Sequence, residues 1–280
     1  MSAPTEVAYG PAIRQGFAHL LRNHPSTYTI GQGLWSPWYV GNSMTDLDIE
    51  FGKDRVIDTP VSEAACTSAA IGSALCGRRP IVIHPRVDFF VLAMDGVINQ
   101  AAKWNHMFGG GIPVPVVYID DRWCYERTEV LGPVQEWDIA KQGPAVRRRG
   151  NDVTLVSYSF CAYQCEQAAE KLAEQGISAE VIDLRVINPL DLRLVFESVA
   201  RTGRLLCVDG DWASCGVAGE VIAQCAMHGL IGASAPRRMA LPAAPAPTSR
   251  PLEKAYYLTV EDIVENVVSL VESQTQAARC

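Results

Sequence analysis

Apolar strand-like runs alternate with helix-like segments along almost the whole chain. In the first half the strand-like runs are "TYTIGQG", "RVIDTP" and "RPIVIH", and they are separated by "YGPAIRQGFAHLLRNHP" and "SEAACTSAAIGSALCG". Continuous apolar strands are typical of a sheet that helices cover on both faces. Strands that alternate with helices indicate parallel crossover units. The sequence therefore predicts an α/β protein with mostly parallel sheets flanked by helices.

The alternation is interrupted once, near the middle of the chain. "RWCYERTEVLGPVQEWDIAKQGPAVRRRG" is rich in Gly, Pro and charged residues and has little periodicity, which is typical of a linker. The strand-like run "DVTLVSYS" then restarts the pattern, which continues to a final helical segment, "TVEDIVENVVSLVES". We predict a first domain over residues 1–122, a linker over 123–150 and a second α/β domain over 151–280.

The composition limits the classes of partner. Hydrophobic residues make up 48% of the 280 residues and charged residues 20%, so the chain can bury a substantial core. The formal net charge is -7. Nucleic acids and anionic membrane surfaces select a basic face, so neither is an expected partner. The basic run Arg147–Arg149 stands beside Gly150 and fits a solvated turn.

Cysteine use and the absence of targeting features predict a cytoplasmic location. The start, "MSAPTEVAYG", has neither the basic region nor the apolar region of a secretion signal. No apolar run approaches the length that spans a bilayer. The nine cysteines are an odd number scattered through apparent core segments. This pattern is typical of free, buried thiols in a reducing compartment.

One carboxylate lies at a position where it could exchange a proton with a ligand. Residues 57–66 read "IDTPVSEAAC", so Glu63 follows a strand and a Thr-Pro corner and opens a segment of small residues. A carboxylate in the first turn of a helix interacts with the helix dipole, which contributes about 0.3–1 kcal/mol. A buried carboxylate at the same place could instead exchange a proton with a ligand. The local sequence leaves both interpretations open.

Several segments together resemble a known family. "DTPVSEAA", "GRRPIVIHPRVDFFVLAMDGVINQAAK", "GNDVTLVSYS", "VIDLRVINPLD" and "LEKAYYLTVEDIVENV" occur in the order found in the β subunit of thiamine-diphosphate-dependent 2-oxo acid dehydrogenases, the E1 component. They are also similar to the C-terminal two-thirds of transketolases. The resemblance implies a pyrimidine-binding domain followed by a transketolase-type C-terminal domain.

The resemblance implies that this chain holds half of a cofactor site. In the family, thiamine diphosphate lies between two chains, and the diphosphate and Mg²⁺ are bound by an α subunit with a Gly-Asp-Gly…Asn signature. "VDGDW" at residues 208–212 contains part of this signature but no correctly spaced Asn follows. We therefore expect no metal site in this chain, and an α-type partner in an α2β2 assembly that contains a dimer of this chain.

The resemblance also assigns roles to individual residues. Glu63 matches the glutamate that hydrogen-bonds the aminopyrimidine ring nitrogen, and this makes it the expected catalytic and cofactor-binding residue. Phe89 falls where the family stacks an aromatic ring on the aminopyrimidine, although Phe90 could serve instead. His84, at the carboxyl end of a strand, and His106, beside a glycine run, are candidates for the substrate pocket. Core packing for the phenylalanines and capping for His106 are the structural alternatives.

The chain departs from the family pattern in one place. Family β subunits are longer by roughly fifty residues, a difference the size of a structural unit. In the family a "VPVV" strand is followed by a loop with a "QHS" histidine, further elements and a second strand. Here the two strands are fused as "PVPVVYIDD", near residues 114–120. No residue of this chain maps onto the loop histidine.

The expected function is that of a β-like subunit of a thiamine-diphosphate enzyme. Such an enzyme decarboxylates a 2-oxo acid and passes the acyl or aldehyde unit to an acceptor, which is either a lipoyl domain of an acyltransferase or an aldehyde. One alternative is a non-catalytic scaffold subunit, which the missing histidine segment favours. Another is a split transketolase-like synthase. The intact "TPVSEAA" favours an enzyme over a scaffold.

Overall fold

The chain folds into two compact units, Met1–Glu136 and Trp137–Cys280. The computed structural model describes residues 5–110, 124–125, 127–138, 141–231 and 234–277. Both units combine helices with a sheet in which parallel pairs dominate. The predicted α/β class is therefore confirmed. The predicted fused strand near 114–120 lies outside the described residues.

The first unit is built on a three-stranded parallel sheet with the order β3-β2-β4. A separate two-stranded antiparallel sheet joins β1 to β5. The described elements, in chain order, are β1 (Thr5–Ala8), α1 (Tyr9–Asn23), β2 (Thr27–Gln32), α2 (Leu47–Phe51), β3 (Val56–Thr59), α3 (Glu63–Leu75), β4 (Arg79–Ile83), α4 (Val87–Phe90), α5 (Ala102–Met107) and β5 (Thr128–Leu131).

The helical segment that follows β4 is less regular than its sequence indicates. The pattern of "DFFVLAMDGVINQAAKWNHM" predicts one long helix, whereas the structure has α4, a 3₁₀ turn at Val91–Ala93, a π-helical stretch at Gly96–Ala101 and α5. A Cβ atom added at Gly96 would lie 3.4 Å from the Ile71 side chain of α3. The small residues of this segment and of α3 therefore serve close packing.

The second unit contains a five-stranded sheet with the order β10-β9-β7-β8-β6. Four strands run parallel, and β6 pairs antiparallel with β8 at the edge. Its described elements are β6 (Ala145–Arg148), β7 (Val153–Ser157), α6 (Ser159–Glu174), β8 (Ala179–Asp183), α7 (Arg193–Thr202), β9 (Leu205–Trp212), α8 (Val217–Met227), β10 (Arg237–Leu241), α9 (Arg250–Tyr256) and α10 (Val260–Ala277).

The core of this unit lies on both faces of the sheet because the central strands are apolar at successive positions. On β9, Leu206 and Val208 pack with the cluster that includes α6 and α10, while Leu205 and Cys207 pack with the cluster that includes α7 and α8. Side chains alternate between faces along a strand, so a continuous apolar run supplies two clusters. The sequence reasoning about buried parallel strands is confirmed here.

Two strands lie inside the segment predicted as a linker over 123–150, namely β5 and β6. The "RRR" run contains the end of β6, and two of its arginines form ion pairs, Arg147 with Glu166 and Arg149 with the buried Glu180. Short strands with charged residues are common at sheet edges. The domain limits 1–122, 123–150 and 151–280 themselves remain a prediction.

Several cysteines of the second unit are buried free thiols, as the composition predicts. Cys165, Cys207 and Cys225 lie in its core. Burial raises the pKa of the Cys225 thiol to about 11, so this thiol stays protonated at neutral pH. The cytoplasmic location remains a prediction. Among the helices in the described ranges, none combines the length and the apolar content of a bilayer span.

We expect Leu206→Ala to lower the free energy of unfolding by about 2–5 kcal/mol, because it opens a cavity in a fully buried cluster. Leu206 is 0% exposed, whereas Leu252 is 60% exposed, so Leu252→Ala is a matched control with an expected effect below about 0.5 kcal/mol. Denaturant unfolding followed by circular dichroism measures both. Equal effects of the two substitutions would contradict the packing described for β9.

Candidate functional site

The candidate site lies at the carboxyl edge of the first unit's sheet. The three strands run parallel, and Gln32 at the end of β2 is in register with Thr59 at the end of β3. His84 follows β4 directly, and Glu63 opens α3 after the Thr-Pro corner. Ligands of open α/β sheets bind beyond the carboxyl ends of the strands. The fold therefore brings four chain segments to the edge where a ligand would be expected.

Two glycines bring β2 and the side chain of Gln32 to this edge. A Cβ atom at Gly31 would lie 2.3 Å from the carbonyl oxygen of Ile83, so only glycine permits the observed approach of β2 to β4. Gly33 has φ +74°, a left-handed conformation that favours glycine. Asp58 fixes the turn, since its Oδ1 accepts the backbone N–H groups of Gly33 at 2.6 Å and Leu34 at 3.2 Å.

Glu63 is a buried carboxylate whose described hydrogen-bond partner is a side chain. It is 6% exposed, and Gln32 Nε2 donates to its Oε1 at 3.2 Å. The preceding residue, Ser62, is the N-cap of α3 but makes no side-chain capping bond. A buried charge is costly unless hydrogen bonds compensate it. The interaction with the helix dipole adds to the hydrogen bond from the Gln32 amide. Local capping alone does not explain why this carboxylate is buried.

His84 lies at the same sheet edge as Glu63 and contacts helix α3, which Glu63 opens. Its Nε2 lies 3.0 Å from Oγ1 of Thr67, which is one helical turn after Glu63. Burial lowers the pKa of His84, and the Glu63 carboxylate opposes this effect by raising it. The net direction is downward, so the imidazole is mostly neutral at neutral pH. A neutral imidazole can donate at one nitrogen and accept at the other.

The two phenylalanines differ in their surroundings. Phe89 is 42% exposed, and the guanidinium carbon of Arg86 lies 5.9 Å from its ring centroid. Phe90 is half-buried, and its ring centroid lies 5.4 Å from that of His84. The described contacts therefore link Phe90, not Phe89, to the polar groups of the edge. The assignment of Phe89 to cofactor stacking remains a prediction.

His106 is exposed in the last turn of α5. Within the described residues, no contact joins it to Glu63, His84 or Gln32. Its backbone carbonyl accepts the N–H of Gly109 at 3.3 Å, at the start of the glycine run. This environment fits a residue at a helix end, and a pocket role for His106 remains a prediction.

Sequence reasoning missed Gln32. A polar residue between two glycines at the end of a central strand was a usable signal, because the glycines permit close strand approach and a left-handed turn. "GQGLWS" instead suggests only a fragment of a glycine-rich phosphate loop, which lacks its third glycine. In the structure the two glycines serve the strand and the turn.

The corresponding edge of the second unit is occupied by its own side chains. Asp209 is 1% exposed, and its carboxylate accepts the Tyr158 hydroxyl at 2.6 Å and the Ala218 N–H at 2.9 Å. The N-terminus of α8 in "GVAGEV" is thus satisfied internally. Burial, reinforced by Asp209, raises the pKa of the Tyr158 hydroxyl. Among the described residues, no group of three or more His, Cys, Asp or Glu side chains is arranged to hold a metal ion.

Comparison with known proteins identifies the family. The pyrimidine-binding domain of transketolase matches residues 5–123, and the C-terminal domain of transketolase matches residues 143–263. Pyruvate dehydrogenase E1 component subunit beta-1, mitochondrial, from Arabidopsis thaliana is 32% identical to this chain. The alignment covers 92% of this chain and 88% of that subunit. The chain belongs to the 2-oxo acid dehydrogenase β-subunit family. The β subunit of 2-oxoisovalerate dehydrogenase from Bacillus subtilis (strain 168) is 26% identical to this chain. That alignment covers 92% of this chain and 96% of that subunit.

A solved structure supports the fold of this family member. A protein described as "Split gene transketolase, inactive beta4 tetramer" superimposes with a TM-score of 0.60 at 17% identity, covering 94% of this chain and 96% of that chain. An identity this low supports the arrangement of the elements and nothing finer.

The family alignments also reveal a length difference. The alignment with the Arabidopsis subunit has 318 positions, but 92% of the 280 residues is about 258 residues, so about 60 positions contain no residue of this chain. The same comparison for the Bacillus subtilis subunit, with 315 positions, gives about 57. These figures agree with the predicted shortfall of roughly fifty residues. Its predicted place, near 114–120, lies outside the described residues.

We expect the His84 imidazole to titrate below the usual value of 6.5, because burial disfavours the imidazolium. Glu63→Gln should lower the pKa of His84 further, since it removes the nearby negative charge that raises it. NMR titration of ¹³C-labelled histidine in the full chain measures both values. Glu174→Gln, on an exposed helix end of the second unit, is the control. If the pKa of His84 does not change in Glu63→Gln, the proposed proximity of the two groups is contradicted.

Proposed function

We propose that this chain is the β-like subunit of a thiamine-diphosphate-dependent enzyme that decarboxylates a 2-oxo acid and transfers the acyl or aldehyde unit to an acceptor. The observation that carries the proposal is the buried carboxyl group of Glu63 at the carboxyl edge of a parallel sheet. This edge belongs to the part of the chain that matches the transketolase pyrimidine-binding domain. The names of the relatives, pyruvate and 2-oxoisovalerate dehydrogenase β subunits, support the reaction class.

The residues at the edge fit an aminopyrimidine ring. Such a ring needs a carboxylate beside its nitrogen and a flat apolar face. Glu63 is buried and engages Gln32 through Oε1, while its Oε2 has no hydrogen-bond partner among the described residues. Phe89, with its partly exposed ring, or Phe90, beside His84, would supply the aromatic face. A buried group with unused acceptor capacity is what a ligand that brings its own donors requires.

Each side chain then has a distinct task. When bound, thiamine diphosphate supplies the electron sink for decarboxylation. Glu63, which is 6% exposed, would hold and release a proton at the aminopyrimidine ring nitrogen. His84 would line the 2-oxo acid pocket as a neutral imidazole, oriented by its contact with Thr67.

A partner chain would complete the site. We propose an α-type subunit that holds the diphosphate and Mg²⁺ in an α2β2 assembly, with a lipoyl acyltransferase as a possible acceptor. Exposed apolar residues on the helical segment 87–108 support a protein partner. Five of them are each more than half exposed: Val87, Val91, Leu92, Met107 and Phe108.

The length difference favours one alternative. About 57 to 60 positions of the two aligned relatives have no counterpart in this chain. A subunit that has lost a structural unit of this size could retain the fold and its assembly surface without turnover. A scaffold role would not require the buried Glu63–Gln32 pair, and this pair is the reason to prefer the enzyme. Transfer to an aldehyde acceptor, as in a split transketolase-like synthase, keeps the same role for Glu63.

We expect Glu63→Gln to lower kcat by about 10²–10⁴-fold, because the amide cannot exchange the proton that the carboxyl group handles. The measurement is carbon dioxide release from pyruvate or a branched 2-oxo acid, with the chain purified together with its α-type subunit. The thermal unfolding midpoint should stay close to that of the wild type, and Glu174→Gln is the matched control.

Near-normal turnover of Glu63→Gln would refute the proposed catalytic role. A wild-type complex that binds thiamine diphosphate but releases no carbon dioxide from any 2-oxo acid would instead favour the scaffold.

A further inference from the structure

Gln32 has an unusual environment for a neutral amide. Its Nε2 donates to Oε1 of Glu63 at 3.2 Å, while its own Oε1 is buried and has no hydrogen-bond partner among the described residues. A buried carbonyl oxygen without a donor is destabilising, and an apolar side chain at the end of β2 would avoid that loss. Glutamine at this position therefore has a use that packing does not explain.

The chemistry of the amide provides that use. A glutamine side chain presents N–H donors on one side and a carbonyl acceptor on the other, and rotation of its last torsion exchanges them. It can donate to Glu63 when the carboxyl group is ionised, and accept from Glu63 when the carboxyl group carries a proton. A lysine or arginine at this place would hold Glu63 in the ionised form. A second carboxylate would keep one proton within the pair.

The other polar groups around Glu63 have their own partners. His84, from the end of β4, is in contact with Thr67, and Asp58 of β3 accepts the backbone N–H groups of Gly33 and Leu34. Glu63 raises the pKa of His84, but burial lowers it by more, so His84 is mostly neutral at neutral pH. Among the described residues, the side chain that hydrogen-bonds Glu63 is therefore that of Gln32.

We propose that Gln32 is a positioning residue that holds Glu63 in both of its protonation states by turning its amide. This inference rests on the proposed function, because it concerns the proton that Glu63 exchanges there. Gly31 and Gly33 contribute by placing Gln32 at the sheet edge, and the unpaired Oε1 is the acceptor that the protonated state uses. Gln32 does not itself exchange a proton.

The test compares Gln32→Glu and Gln32→Met in the full, cofactor-free chain with glutamate labelled at Cδ with ¹³C. The carboxyl signal of Glu63 is assigned by its loss in Glu63→Gln. Gln32→Glu should raise the pH at which Glu63 ionises by about one unit or more relative to wild type, because two adjacent carboxyl groups share a proton. Gln32→Met removes the bond to the ionised form and the bond to the protonated form together, so it should move this pH by less than Gln32→Glu does.

The chain contains a matched control pair. Gln224 Nε2 donates to Oε1 of Glu220 at 2.7 Å on the exposed side of α8. Gln224→Glu makes the same chemical change beside a glutamate in water, where charges are screened, so the Glu220 titration should move by less than about 0.5 unit. A structural effect of replacing glutamine with glutamate would appear at both sites.

Turnover of the complex with its α-type subunit provides the second measurement. Gln32→Glu should shift the pH profile of kcat, because the added carboxylate favours the protonated form of Glu63. Gln32→Met should lower kcat about tenfold while KM stays within about twofold, because only the proton exchange is affected. Gln224→Glu should leave the profile unchanged. Wild-type titration of Glu63 in Gln32→Glu together with a wild-type kcat of Gln32→Met would overturn the proposal.

The two proposals fail separately. If Glu63→Gln abolishes turnover while the Gln32 variants behave as wild type, Glu63 is catalytic and Gln32 is not its positioning residue. If Glu63→Gln turns over normally, the proposed function fails, and the titration in the cofactor-free chain still decides whether Gln32 sets the protonation of Glu63.

Discussion

The parallel alignment of β2, β3 and β4 is the constraint on which the candidate site depends. It brings the ends of three strands to one edge, so that residues distant in sequence, such as Gln32 and His84, surround the first turn of α3. The alignment requires the close approach of β2 to β4 at Gly31, where any side chain would collide with the backbone of Ile83. The site therefore depends on this backbone approach. The hydrogen-bond partner of Glu63 is Gln32, which lies on strand β2 and not on helix α3.

The two units use buried carboxylates in opposite ways. Asp209 of the second unit is fully engaged by a hydroxyl group and by backbone N–H groups, and it fixes the start of α8. Glu63 has one described hydrogen bond and unused acceptor capacity at a comparable degree of burial. A satisfied carboxylate stabilises the fold, whereas an incompletely satisfied one at a sheet edge is suited to a ligand. The proposed site therefore lies in the first unit.

The sequence predicts the buried strands of the second unit well because clusters on both faces of that sheet favour apolar side chains at most strand positions. It predicts the place of Glu63 because a strand end, a Thr-Pro corner and a small-residue helix start are local features. β6 and β10 escape prediction since they are short and contain arginines that a sheet edge tolerates. The apolar run "SAEVIDLRVINP" predicts a longer strand than β8, which ends at Asp183, two residues before Arg185 with its φ of +57°. Gln32 is missed because its role depends on a contact between residues 31 positions apart.

The most direct test of the proposed site is a structure of the complex between this chain, its α-type subunit and thiamine diphosphate. The aminopyrimidine ring nitrogen should lie within hydrogen-bond distance of the Glu63 carboxyl group, Gln32 should contact the opposite side of that group, and the partner should hold the diphosphate. A cofactor bound elsewhere, with Glu63 still buried against Gln32 and out of its reach, would contradict the assignment of this edge as the active site.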